Sequence, residues 1–263
     1  MKEPKVLIVT PIYKDKDYCL DLHLDCINKI KYTNTKQIFI DNSAGHEYTK
    51  TLINKGLEAY HVNRGNNSRE AICNSMNFAR EYFIKHNYDY MLVVESDLLP
   101  DPQIISRLLA YYKPVVGSYY LLGFKKDTDK MQDATIKLRN KEISDNEYRK
   151  RTRHLVPEVP CLFVLNEKKE DSGFIGTRIL TIREGFDVFG TGLRRIHGCG
   201  LGATLIRKDI IKRFPFWYDD RFENKHHDVY FYMDLHNNNI PVYVDTNVLI
   251  KHRPSKWNLV NDM

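Results

Sequence analysis

The chain has 263 residues, 42% hydrophobic and 12% aromatic, enough for a full core and too apolar for a disordered chain. Its 40 basic and 34 acidic residues leave a net charge of +6 and a pI near 8.9, a mild excess that fits a nucleotide-phosphate ligand, an anionic surface or plain solubility without selecting among them. Five cysteines (Cys19, Cys26, Cys73, Cys161, Cys199), odd in number and without a C-x-x-C pair, argue against a disulfide framework or a structural zinc site and for a reducing compartment.

Lys5 to Thr10 is a β-branched run closed by Pro11, which predicts a first strand and a loop after it. Leu20, Leu24, Ile27 and Ile30 keep helical spacing within Asp17 to Lys31. Gln37 to Ile40 predicts a second strand ending in Asp41-Asn42-Ser43, Thr49 to Lys55 a short helix stopped by Gly56, and Ala59 to Val62 a third strand. Ser68 to His86 reads as a helix with Ser68 as its cap. The next strand, Tyr90 to Val94, is a continuous apolar run of the kind buried in a parallel sheet. Pro102 to Tyr112 predicts a helix and Val115 to Tyr119 a strand. Lys125 to Arg153 is highly charged with few apolar positions, as expected of a solvated helix or a mobile flap. Beyond it, Cys161 to Leu165 and Phe174 to Arg183 read as strands, and Asp187 to His197 leads into Gly198-Cys199-Gly200-Leu201-Gly202. A strand (Ala203 to Arg207), two helices (Lys208 to Arg213, His227 to Asn237) and a last strand (Val242 to Asp245) close the chain. Alternation this regular implies an α/β fold with a Rossmann-like, mostly parallel sheet flanked by helices, the second half continuing the same sheet. The N-terminus runs into a strand rather than a signal-peptide core, and no apolar stretch approaches the length of a membrane span. A soluble, cytoplasmic protein is expected, with peripheral docking to a membrane left open.

The buried run ends in two acids two residues apart, Glu95 and Asp97. Alternation along a strand places both on one side of its C-terminal end, where open α/β sheets bind ligands. Oxygen ligands there suit a hard divalent cation that bridges to phosphate. The alternative is an acidic strand end that caps the helix near Pro102.

The ordered set resembles the GT-A glycosyltransferases, most closely the inverting family two group. It consists of Thr10-Pro11-Ile12-Tyr13, Asp41-Asn42-Ser43, Asn63-Arg64-Gly65 with Arg69, Glu95-Ser96-Asp97, Gly198 to Gly202, His227-Asp228-Val229-Tyr230-Phe231 and Lys251-His252-Arg253, and it spans nearly the whole chain. The resemblance implies a nucleotide site lined by Thr10, Pro11 and Tyr13, with Asp41 accepting from the base imide and Arg69 reaching base or phosphate. Glu95-Ser96-Asp97 takes the place of the family's Asp-x-Asp. Asp97 is implied as the direct metal ligand, His252 as a second, and Glu95 as a ligand through water or a ribose contact, one methylene longer than the usual Asp. Imidazole favours Mn2+ over Mg2+. Gly200, Leu201 and Gly202 would approach the donor sugar, and Trp217 could stack on an acceptor sugar or belong to the core. Asp228 is the implied base, with His227 where the family has Glu. The same acid could serve as a first-turn residue favoured by the helix dipole.

The resemblance implies one domain over 1–263, with a nucleotide-binding half (1–120), a charged flap or insertion (121–160) and an acceptor-binding half (161–263). The expected function is metal-dependent, inverting transfer of a hexosyl group from a nucleotide-sugar, UDP-sugar favoured, to an unknown acceptor. Two alternatives stand beside it. A non-catalytic nucleotide-sugar-binding module would suit the replacements at Glu95 and His227. A nucleotidyltransferase would need a glycine- and lysine-rich loop after strand one, where only Lys14 and Lys16 qualify. The basic cluster Arg149 to His154 leaves a nucleic acid acceptor open.

Overall fold

The computed structural model describes residues 3–123, 125–155, 158–169, 175–221 and 225–253. In chain order the first half runs β1 (Val6–Ile12), α1 (Leu20–Asn28), β2 (Thr35–Asp41), α2 (Glu47–Asn54), β3 (Ala59–His61), α3 (Ser68–Lys85), β4 (Tyr90–Val94), β5 (Leu98–Leu99), α4 (Ile104–Ala110) and β6 (Val115–Gly123). The second half runs α5 (Lys125–Arg139), α6 (Asp145–Thr152), β7 (Glu158–Pro160), β8 (Leu162–Lys169), β9 (Ile175–Ile179), α7 (Ile182–Val188), β10 (Leu193–Ile196), β11 (Gly198–Cys199), β12 (Ala203–Arg207), α8 (Lys208–Arg213), α9 (His227–Asn237) and β13 (Val242–His252).

The main sheet has the order β10-β13-β6-β12-β4-β1-β2-β3. The β3, β2, β1 and β4 strands are mutually parallel, and β13 is parallel to β6. β12 lies antiparallel between β4 and β6, and β10 is antiparallel to β13 at the edge. The Rossmann-like, mostly parallel sheet flanked by helices is therefore the architecture found. Alternation along β1 explains why it needs helices on both faces. Val6 and Ile8 enter one buried cluster with Leu92, Val94 and Ile105, whereas Leu7 and Val9 enter another with Ile38, Met76, Phe83 and Phe231.

The second half continues this sheet only in part. β8, β9 and β11 form a separate antiparallel sheet, with Cys161 rather than β8 holding the turn against Tyr120. The expected strand Phe174 to Arg183 is strand only over Ile175–Ile179; α7 begins at Ile182 on a Thr181–Glu184 capping box, and Phe174 lies outside the described residues. The cap of α3 is Asn67, whose side chain accepts from the Glu70 amide at 2.9 Å, rather than Ser68. The charged stretch is the solvated-helix alternative. α5 and α6 pack on each other, carry i,i+4 pairs Asp133–Lys137 and Glu147–Arg151 at 2.8 Å, and α6 buries no residue. All five cysteines are free thiols. Among the described residues no helix is long and apolar enough to cross a membrane.

Candidate active site

A cleft of about 260 Å3 opens beyond the carboxyl ends of β1 and β4. One side is formed by Pro11 and Ile12 at the end of β1 and by Tyr13 and Lys16 after it, with Asn42, Ser68 and Ile72 beside them; the other holds Glu95, Ser96 and Asp97 with His226, His227 and Asp228. Glu95 and Asp97 do share the cleft, but a turn brings them there. β4 stops at Val94, and the Leu98 amide closes the turn on the Glu95 carbonyl at 3.0 Å. Neither acid caps α4, which begins at Ile104 with no side-chain cap.

Asp97 is 4% exposed and lies where three distant segments meet. A short 3-10 turn, Lys14–Cys19, presents Lys16, whose ammonium is ion-paired to Asp97 Oδ2. The end of β13 brings His252 Nε2 to 3.4 Å from the same oxygen. The segments are tied to each other as well as to the acid. The Arg253 amide donates to the Asp97 carbonyl at 2.7 Å, the Tyr18 hydroxyl donates to the Arg253 carbonyl, and Cys19 Sγ donates to the Ser96 carbonyl at 3.1 Å. Burial alone would raise the Asp97 pKa. The His252 and Lys16 partners outweigh it and hold the carboxyl well below the usual range. Lys16 is raised in turn: burial works against its charge, and Asp97 more than compensates. Glu95 is the opposite case, with burial, then repulsion by Asp97, pushing it up to about 7.

His252 donates from Nδ1 to the Leu121 carbonyl at 2.8 Å, which orients the ring so that Nε2 faces Asp97, and against the effect of burial that carboxylate raises the His252 pKa. A buried carboxylate and an oriented imidazole meeting at one point are a fitting donor pair for a divalent cation, with further oxygens left for a ligand to supply. Among the described residues no group of three His, Cys, Asp or Glu stands ready as a complete cation site.

Asp228 and His227 occupy the first turn of α9, whose cap, His226, makes no side-chain hydrogen bond. Asp228 Oδ1 accepts from the Val229 amide at 2.8 Å, and burial raises its pKa against the lowering influence of His226. His227 is 5% exposed, its Nδ1 has no hydrogen-bond partner, and burial lowers its pKa to about 3. It faces the cleft as a neutral imidazole with an unused polar atom.

Several expected residues lie elsewhere. Thr10 is buried inside β1, which runs two residues further than Pro11 suggests; its hydroxyl meets His23 Nε2 at 3.2 Å instead of a ligand. Asp41 is buried at the end of β2, its oxygens taken by the Ser43 amide (2.8 Å) and the Thr49 hydroxyl (2.6 Å). Arg69 donates to the Asp219 carbonyl at 3.2 Å and pairs with Asp220 at 3.5 Å, away from the cleft wall. The glycine run packs on protein side chains. A Cβ on Gly200 would fall 1.8 Å from the Tyr120 hydroxyl, one on Gly202 2.9 Å from the Glu95 carboxyl carbon, and Leu201 is buried in the core. Trp217 donates to Asp234 at 2.8 Å and packs on Tyr230 at 4.5 Å, without lining the cleft. Lys16 and Asn42 line the cleft without having been assigned a part in it. The clue to Lys16 was its place in the loop after the first strand; the clue to Asn42 was its place beside Asp41.

No family model and no curated protein matches the chain. Among solved structures it is similar to A197 from STIV (15% identity, 96% of this chain and 87% of that one, TM-score 0.46). It is also similar to glucosyl-3-phosphoglycerate synthase from Mycobacterium tuberculosis, solved with Mn2+, UDP and glucosyl-3-phosphoglycerate (12% identity, 98% and 75%, TM-score 0.48). A mannosyltransferase from Pyrobaculum calidifontis, solved with GDP-Man and Mn2+, matches over 44% of this chain and 36% of its own (15% identity, TM-score 0.35). These are likenesses of architecture, and the cleft's own side chains have to carry any assignment of function.

Proposed function

We propose that the protein is a metal-dependent, inverting glycosyltransferase that moves a sugar, most simply a hexose, from a nucleotide-sugar to an acceptor hydroxyl. The observation that carries this is that Asp97, which His252 meets from behind at 3.4 Å, lines the same cleft as the half-buried Asp228. Asp97 and His252 Nε2 would hold a divalent cation, with Mn2+ favoured over Mg2+ because one ligand is an imidazole. When bound, that cation supplies charge neutralisation for a departing diphosphate, worth several kcal/mol.

The chain's own groups do the rest. Tyr13, stacked under the Arg64 guanidinium at 5.4 Å, and Pro11 form a flat wall for the nucleoside. Asp228 removes the proton of the acceptor hydroxyl as its oxygen bonds to the anomeric carbon, while the bond from that carbon to the diphosphate oxygen breaks and the diphosphate leaves with the electron pair. Burial raises the pKa of Asp228, the direction a base needs. His227 Nδ1, neutral and otherwise unused, is placed to hydrogen-bond the donor or the acceptor.

UDP-sugar is the first choice of donor and GDP-sugar the second. The domain reading accompanies this one: 1–120 binds the nucleotide, 121–160 is an insertion and 161–263 meets the acceptor. Release of UDP from UDP-glucose and GDP from GDP-mannose, measured with and without Mn2+ and again in Asp97→Ala, tests the proposal. Equal rates in all arms remove it, and tight nucleotide binding without any turnover favours a binding module.

A further inference from the structure

We propose that Lys16 is a resident cation that holds the place of the divalent ion on Asp97 and passes to the donor diphosphate when the ion loads, so that ion and nucleotide each strengthen the other's binding. The proposal rests on the metal reading above. Asp97 is almost fully buried, and a buried carboxylate without a counter-charge is costly. In the free protein that counter-charge is the Lys16 ammonium on Oδ2, the oxygen that also faces His252 Nε2. A divalent ion shared by Asp97 and His252 must take the same space, and two cations on one oxygen repel.

Lys16 can leave without unfolding anything. Its 3-10 turn is anchored by the neighbouring Tyr18 and Cys19, and the ammonium rides on a flexible four-carbon stem into the cleft, partly exposed. The other acid facing it is Glu95, which is crowded against Asp97. A donor diphosphate brings fresh negative charge into the same cleft and is the natural destination. Linkage makes the effect mutual: a diphosphate that draws Lys16 away frees Asp97 for the ion, and the ion that displaces Lys16 readies it for the diphosphate.

The test is Mn2+ retention by the full chain in equilibrium dialysis, without nucleotide, with UDP and with GDP. Lys16→Met, Lys16→Arg and Asp97→Asn are compared with the unaltered protein. The expected unaltered protein holds Mn2+ weakly alone and about 10- to 100-fold more tightly with its nucleotide, within the usual span of coupled sites. Lys16→Met should hold Mn2+ alone at least about tenfold more tightly and lose most of the coupling, whereas Lys16→Arg should keep it. Nucleotide-dependent retention that Asp97→Asn abolishes but Lys16→Met leaves unchanged would overturn the role of Lys16 and leave the metal reading standing. No retention by the unaltered protein with either nucleotide would overturn both.

Discussion

The two ends of the cleft treat their charged groups in opposite ways. At the β4 end Asp97 is well supplied: an ammonium and an imidazole meet its carboxylate, and the Arg253 amide holds its carbonyl. At the α9 end Asp228 has one backbone donor and a raised pKa, and His227 keeps a buried nitrogen with no partner at all. An end whose charges are compensated before any ligand arrives suits a group that must be held. An end left wanting hydrogen bonds suits a group that arrives, reacts and leaves.

The sharpest attack on this contrast is at its Asp97 end. Asp97→Ala should cut transfer by about 10⁴-fold and abolish Mn2+ dependence, since several kcal/mol of leaving-group stabilisation go with it; steady-state rates against Mn2+ concentration measure this. At the other end Asp228→Asn should lower kcat by about 10³-fold, the usual weight of a general base, while nucleotide affinity measured by calorimetry stays put. A loss of nucleotide affinity of similar size would place Asp228 on the wrong side of the contrast.

The third prediction concerns what stands behind Asp97. His23 is buried neutral, with Nδ1 donating to the Leu98 carbonyl at 3.1 Å and its pKa lowered by burial from 6.5 to about 4. The unfolded chain takes up that proton at higher pH than the folded one. Stability is therefore complete above about 6.5 and falls as the pH drops towards 4, by about 3 kcal/mol in all. Urea melts across that window should show the slope, and His23→Gln should flatten it. The smallest effect is at His227. His227→Phe removes a buried, unpartnered nitrogen and should stabilise the empty protein by about 1 kcal/mol, while raising the acceptor KM about tenfold. A mutant that loses stability and keeps its acceptor affinity would make His227 a core residue.

What could be read from the sequence follows the physics of each signal. β4 and β12 have the bounds that their apolar runs announce, because burial on both faces leaves no ambiguity, and α8 and α9 also keep their expected bounds. That Asp97 and His252 come together is what the family resemblance implied, and the acids at the strand end had marked one half of the pair. Thr10 was expected to line the nucleotide because Pro11 looks like a strand terminator, yet β1 keeps its pairing with β2 as far as Ile12, so the strand continues and Thr10 stays inside. Asp41 does end the second strand, but its oxygens are taken by Ser43 and Thr49. The ion pair of Lys16 was out of reach because it depends on a 3-10 turn whose anchors, Ser96 and Arg253, are remote in sequence. The glycines announced a close approach correctly, but not that its partners would be Tyr120 and Glu95.

The knot that ties Tyr18, Asp97 and Arg253 together spans 235 residues of chain between its outermost members. Contacts so remote in sequence form late, after the intervening loops have been closed. A chain emerging from the ribosome carries its acids and its lysine long before it delivers the histidine and the carbonyl that lock them. The cleft's Asp97 end is therefore complete only once β13 is in place.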